Sequence, residues 1–315
     1  MTWRLMARAA VVCVAASAAA CGAGPAQNGP GPAPHTTAAA SGSAGPASAP
    51  GEATPSSAAL GAVPAPAHIV VVVMENHSYG DIISNPAAPF INRLAAQGAL
   101  FTRSYAVTHP SEPNYLALFS GSTQGVTDDS CPHSFTAPNL AADLAAAGRS
   151  FTGYAEGLPG AGATTCGSGG YARKHAPWVN FANVPAAASQ PFSRFPGADL
   201  SALPTVSWVI PDLCHDMHDC GVSTGDAWLR DHLGGYADWA RTHRSLLIVT
   251  WDEDDGSAAN HIATIFVGEF VKPGRYGQRI THDNVLATIE QACHLPRDGD
   301  AAAAAPVTGM WTGHP

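Results

Sequence analysis

Two apolar runs in this chain end on acidic or amide side chains. His68-Ile-Val-Val-Val-Val-Met74 gives way to Glu75-Asn76, and Leu246-Leu-Ile-Val-Thr-Trp251 gives way to Asp252-Glu253. Together they offer three carboxylates and an amide oxygen, the hard donors that a divalent cation takes. Neighbouring residues on a strand point to opposite faces, so both members of a pair reach one ion only if the chain turns directly after the strand. A third segment, Thr108-His-Pro-Ser-Glu-Pro-Asn-Tyr115, joins a strand-like stretch to an apolar helix. It sets Ser111 at the expected N-cap, where backbone N–H groups face an anion. Capping alone would account for Ser111; the two acidic pairs give it a second use. From His68 onward there are thirteen histidines and only two lysines, so proton transfer falls to His, Asp and Glu. Asp254 and Asp255 extend the second acidic pair and read as a solvated turn before Gly256.

The two runs, and a third at Thr205-Val-Ser-Trp-Val-Ile210 ending in Pro211-Asp212, lack alternation, as strands buried on both faces of a parallel sheet do. Helical stretches fall at residues 89–97, 111–119, 137–147, 226–244 and 283–292, with weaker strands at 100–106, 150–155 and 261–267. The alternation predicts an α/β fold, doubly wound, with a mostly parallel sheet and helices on both faces. In such sheets ligands bind outside the carboxyl ends of the strands, which is where the polar endings lie.

Among 315 residues only 15 are Lys or Arg and 24 Asp or Glu. From His68 the balance is 13 basic against 23 acidic with no basic run, which disfavours binding to a nucleic-acid backbone, so no nucleic-acid partner is expected. Residues 1–20 carry Arg4 and Arg8 followed by an apolar run, the pattern of an export signal. Ala18-Ala-Ala-Cys21-Gly22 resembles a lipobox, so the expectation is a cell-surface lipoprotein acylated on Cys21, with plain secretion as the alternative. Residues 21–67 are almost wholly Ala, Gly, Pro, Ser and Thr, with Glu52 their single charge, and are expected to form a disordered tether. Residues 68–315 then make one catalytic domain. No other segment reaches the roughly 18 apolar residues of a membrane span, so membrane contact is expected only through the anchor.

Five ordered blocks carry a family resemblance: Met74-Glu-Asn-His-Ser-Tyr79, His109-Pro-Ser-Glu-Pro-Asn-Tyr115, Tyr171-Ala-Arg-Lys-His-Ala-Pro-Trp178, Asp216-Met-His-Asp219 and Thr250-Trp-Asp-Glu-Asp-Asp-Gly256. They resemble the bacterial phosphoesterase family of acid phosphatases and phospholipases C, within the alkaline-phosphatase-like superfamily. The likeness runs from about His68 to Trp311 and is nearest to secreted acid phosphatases of the SapM type, a branch associated with phosphatidylinositol 3-phosphate. The resemblance implies that Glu75, Asn76, Asp252 and Glu253 are metal ligands and that Ser111 is the nucleophile touching the same ion. It further implies His218 and His175 as candidate proton donors, and Asn114, Asp216, His261 and His282 as substrate-binding groups. Oxygen donors favour magnesium, calcium, manganese or iron, with zinc possible through the histidines.

Five cysteines follow Cys21. The expected bridges are Cys131–Cys166 and Cys214–Cys220, leaving Cys293 a buried thiol. Cys214-His-Asp-Met-His-Asp-Cys220 could instead hold zinc through thiolates, which an oxidising compartment disfavours. Three functions follow: a metal-assisted phosphomonoesterase acting on a small ester or a phosphoinositide, a phosphodiesterase of phospholipase C type, and a non-catalytic surface-binding lipoprotein. Diesterase members are usually longer, which favours the first; an intact Ser111 and four intact ligand positions disfavour the third.

Overall fold

The computed structural model describes residues 63–313. The expected export signal, Cys21 and most of the expected tether lie outside the described residues. Val63 and Pro66 are already buried against the domain, ahead of the first strand.

The strands are β1 (His68–Met74), β2 (Ala99–Tyr105), β3 (Phe151–Ala155), β4 (Gly167–Ser168), β5 (Tyr171–Ala172), β6 (Ser189–Pro191), β7 (Val206–Ile210), β8 (Ser245–Trp251), β9 (His261–Gly268) and β10 (Gly274–Thr281). The helices are α1 (Tyr79–Ile82), α2 (Pro89–Gln97), α3 (Ser111–Ser120), α4 (Leu140–Ala146), α5 (Val222–Ala240) and α6 (His282–Ala292). Eight strands form one sheet in the order β10-β2-β9-β8-β1-β7-β3-β6, and β4 and β5 make a separate small ribbon. Only β9 runs against the others; it is antiparallel to both β2 and β8, and every other pairing in the large sheet is parallel.

β1 sits at the centre because its side chains suit burial on both sides. Ile69, Val71 and Val73 pack toward Leu116, Leu144 and Leu286 of α3, α4 and α6, while Val70, Val72 and Met74 pack toward Leu94 and Leu233 of α2 and α5. Each such side chain contributes about 1.5–3 kcal/mol on burial. The fold is thus α/β with helices on both faces of a mostly parallel sheet, as the sequence predicts.

Differences from the expected elements have local causes. α4 starts at Leu140, not residue 137, because Asn139 is its N-cap and accepts from Ala142 N at 3.0 Å. α5 begins four residues early and ends at Ala240, short of Arg244, which adopts a positive φ of 48°. β10 was absent from the expected set. Its two glycines and polar Arg275, Gln278 and Arg279 resemble a loop, yet charge along an outermost strand is how a sheet edge avoids pairing with another chain.

Candidate active site

The carboxyl ends of β1, β2, β7, β8 and β10 meet at one edge of the sheet, with Glu75, the 108–111 turn, the 212–220 loop, Asp252-Glu253 and His282 following directly after them. β1 and β8 are tied where both turn: Asp252 N donates to Met74 O at 3.0 Å, and Asn76 N to Asp252 Oδ1 at 3.1 Å. That turn lets adjacent residues serve one place despite strand alternation. Glu75, Asp252 and Glu253 are all buried.

Ser111 is the first residue of α3; the N-cap is Pro110, not Ser111 as the sequence suggested. Its hydroxyl does no capping. Oγ lies 3.2 Å from both Glu75 Oε2 and Glu253 Oε1, joining the two acidic strand ends. Asn114, expected to face substrate, is fully buried and holds the turn instead. Its Oδ1 accepts from Val107 N and Thr108 N at 3.1 Å, and its Nδ2 donates to Thr108 O, Pro110 O and Glu253 Oε2. It therefore acts by fixing Ser111 against Glu253.

A second layer extends behind Glu75. Tyr115, one helical turn after Ser111, donates to Glu75 Oε1 at 2.5 Å. His175 stacks on Tyr115 at 5.0 Å between centroids, with Nε2 3.0 Å from Glu75 Oε1 and Nδ1 3.3 Å from Asp216 Oδ2. Neither contact is aligned as a hydrogen bond, so His175 Nε2 and Asp216 Oδ2 are buried without a hydrogen-bond partner. The Asp216 carbonyl accepts from Glu75 N at 2.9 Å, so the 212–220 loop is stitched to the end of β1. His218 is half-exposed at the rim, its N bonded to Asp216 Oδ1 and its Nδ1 2.8 Å from Asp219 Oδ1.

The Cys131–Cys166 and Cys214–Cys220 bridges are both present, and Cys293 is a buried free thiol. The second bridge closes the loop carrying Asp216 and His218, and Gly225 of α5 lets that loop lie close. A Cβ there would meet Met217 Cγ and Cε at 2.6 Å, while Met217 itself has a φ of 88°. Chain-entropy arithmetic gives the six-residue separation of Cys214–Cys220 about 2 kcal/mol against about 4 for the 35-residue separation of Cys131–Cys166. Cys214→Ser/Cys220→Ser should therefore depress turnover proportionately more than melting temperature, because the loop's reactive geometry loses its clamp. Unchanged kinetics with a large fall in melting temperature would show that the bridge serves only the fold.

The remaining candidates lie further out. His282 is buried with Nε2 2.6 Å from the Asp252 carbonyl, so it supports the strand end and does not reach outward as a substrate ligand; burial drives its pKa down to about 4. His261 stands at the start of β9, with Nε2 on Thr102 O at 3.1 Å and its ring stacked on Tyr79 and Tyr105. Asp255 is exposed, as expected. Asp254 is not: it is buried and accepts from Gly256, Ala258 and Asn260 backbone N–H groups at 2.8 Å, pinning the return into β9. His109, not singled out from the sequence, bridges Glu253 Oε2 at 2.8 Å and Asp254 Oδ1 at 3.2 Å. Tyr115 was also missed, although its i, i+4 spacing from Ser111 puts both on one helix face.

Crowded, buried carboxyl groups dominate the site's electrostatics. Burial, then Asp252 and Asp216, hold Glu75 well above the ordinary carboxyl range. Burial and Glu253 do the same to Asp252, and burial raises Asp216 to about 7. Burial, Lys174 and His218 keep His175 well below the usual imidazole value, hence neutral. Asp252 Oδ2 is buried with no partner. An orphaned carboxylate oxygen beside two further carboxylates and a serine fits a hard cation. Glu75, His175 and Asp216 also bring donor atoms within 4.8 Å of one another, as do Glu156, Asp212 and the half-buried His215 beyond the bridge.

The Phosphoesterase family matches residues 82–296, and the chain belongs to that family. It is 56% identical over 247 residues, 78% of this chain and 83% of the relative, to the phosphatidylinositol-3-phosphatase of Mycobacterium tuberculosis. It is 29% identical over 249 residues to an acid phosphatase of Aspergillus fumigatus and 30% identical over 228 residues to a phosphate-repressible acid phosphatase of Penicillium chrysogenum. It spans about half the length of those fungal relatives, 55% of each, and 72% and 66% of itself. In fold it is similar to a protein of the alkaline phosphatase superfamily from Vibrio parahaemolyticus, with a TM-score of 0.54, 14% identity, and coverage of 77% of this chain and 71% of that one. A lipoteichoic acid synthase from Listeria monocytogenes is similar at a TM-score of 0.52 and 10% identity, covering 75% and 74%. The chain is a hydrolase of the phosphoric monoester class.

Proposed function

We propose that this chain is an exported phosphomonoesterase, of acid phosphatase type, that acts on phosphoinositide 3-phosphates through a Ser111 nucleophile and a phosphoserine intermediate. The observation that carries this is the Ser111 hydroxyl held at a helix start between two buried carboxylates from different strand ends. The substrate class follows the 56% identity to a phosphatidylinositol-3-phosphatase. Export accords with two disulfides among the described residues. A lipid anchor at Cys21 is part of the same proposal.

In the reaction, Ser111 Oγ gives its proton to one of the two carboxylates it meets and forms a bond to phosphorus as the P–O bond to the alcohol breaks; water then cleaves the phosphoserine, Oγ regains its proton and inorganic phosphate is released. A divalent cation held by Glu75, Asn76, Ser111, Asp252 and Glu253 would, when bound, favour the alkoxide and neutralise phosphoryl charge. The proton for the leaving alcohol is assigned to His218. It is half-exposed, and with Nδ1 on Asp219 its Nε2 is free to exchange a proton, whereas His175 is buried and neutral. Asn114 and Tyr115 hold Ser111 and Glu75 in register.

Hydrolysis of an aryl phosphate, its bis-aryl diester and phosphatidylinositol 3-phosphate, compared before and after chelation, tests this. The expected result is release from both monoesters, little from the diester, and loss on chelation. Preference for the diester would make the chain a phospholipase-type enzyme, and turnover of neither would make it a binding protein.

A further inference from the structure

The rim beyond β9 carries a feature the reaction does not use. β2 and β10 put Arg103 and Arg279 in direct parallel register, and Arg275 lies four residues earlier on β10, before a shift in that register. All three are exposed. They are three of only thirteen basic residues in an acidic domain. Among the described residues the ion pairs of lysine and arginine engage Lys174, Arg230 and Arg297, leaving these three without a carboxylate. Close to this face in sequence, Asp81 accepts from Ser78 and Asp283 from Thr281.

Two of the arginines engage aromatic side chains. Arg279 lies 4.5 Å over Tyr105; Tyr105 and Tyr79 stack on His261 at 5.1 and 4.6 Å; and Arg275 donates to the Tyr79 hydroxyl at 2.8 Å. Two residues after Tyr105 comes Val107, the single exposed large hydrophobic among the described residues. Val107 in turn leads through Thr108 into the turn that presents Ser111. Guanidinium groups, half-exposed tyrosines and an outward valine, continuous with the mouth of the site, match the chemistry of a bilayer interface.

We propose that this face, from Val107 across Arg103, Arg275 and Arg279, docks the domain on an anionic phospholipid bilayer and so presents membrane-borne substrate to Ser111. It rests on the reading that the substrate is a lipid headgroup. Contact with the membrane is then made by the folded domain as well as by any anchor.

The test uses residues 21–315 carrying Cys21→Ser at the acylation position, in co-sedimentation with phosphatidylcholine vesicles containing about 20 mol% phosphatidylserine and no phosphoinositide. Each arginine near such a surface is worth about fivefold in partition, so Arg103→Gln/Arg275→Gln/Arg279→Gln should bind about 10²-fold more weakly. Its turnover of a soluble aryl phosphate should be unchanged. Val107→Ser should give a smaller loss that added salt does not reproduce, since salt screens only the arginines. Equal binding by parent and triple variant, or equal binding of the parent to neutral vesicles, would overturn the proposal. Because these vesicles contain no phosphoinositide, the outcome is independent of the substrate assignment, which fails separately if phosphatidylinositol 3-phosphate releases no phosphate.

Discussion

Ser111→Ala is expected to cut turnover at least about 10³-fold while leaving the circular dichroism spectrum and melting temperature near those of the parent. The chemical reason is that Oγ alone sits between Glu75 and Glu253, and Asn114 and Tyr115, the neighbours on the same helix face, carry no aliphatic hydroxyl. The structural reason is that Ser111 does not cap α3, so the helix loses no hydrogen bond. Removing the hydroxyl also leaves the two carboxylates without that donor, but each keeps another: Glu75 retains Tyr115, and Glu253 retains Asn114 and His109. Quenched-flow capture of labelled phosphoserine in the parent, mapped by mass spectrometry, checks the assignment. Label on a different residue, or parent-like turnover in the variant, would sink it.

Glu75→Gln and Asp252→Asn should each lower metal content and turnover together, by at least about 10²-fold in turnover, because an amide oxygen is a weaker ligand than a carboxylate. A thermal readout separates this from simple damage. The folded-state value of Glu75 is raised above its unfolded one, so the ionised carboxylate costs stability once pH exceeds the unfolded value. Glu75→Gln should then melt higher than the parent at neutral pH in chelator, yet lose the rise in melting temperature that added cation gives the parent. If both variants keep full activity after exhaustive chelation, these carboxylates serve something other than a cation.

Strongly patterned elements are legible in the sequence. β1, β7 and β8 are continuous apolar runs, and their polar endings marked the reactive edge because a parallel sheet collects its carboxyl ends together. Ser111, Glu75, Asp252 and Glu253 lie at that edge, Ser111 bonded to Glu75 and Glu253 and Asp252 to the backbone after Glu75. What escaped were contacts made by chain geometry. The burial of Asp254 follows from a turn in which its carboxylate satisfies three backbone donors, and the Asp-x-Gly spacing to Gly256 was a signal for it. The inward pull on Asn114 depends on a turn whose path no periodicity records. β10 was hidden because an edge strand needs only one neighbour and so tolerates charge and glycine.

The central position of β1 bears on how the chain must be made. Its partners are remote: Ile69 pairs with Val206 and His68 with Ser245, so in synthesis from the N-terminus β1 emerges long before either flank exists. Until then an uncharged, β-branched heptad without proline is exposed, the composition from which amyloid-like assemblies nucleate. Pro64 and Pro66 stand on one side of it and Glu75 on the other, the residue types that break such assembly. Glu75 therefore guards the nascent strand before it ever meets Ser111, and of the two carboxylate variants Glu75→Gln is the one whose refolding yield should fall as protein concentration rises.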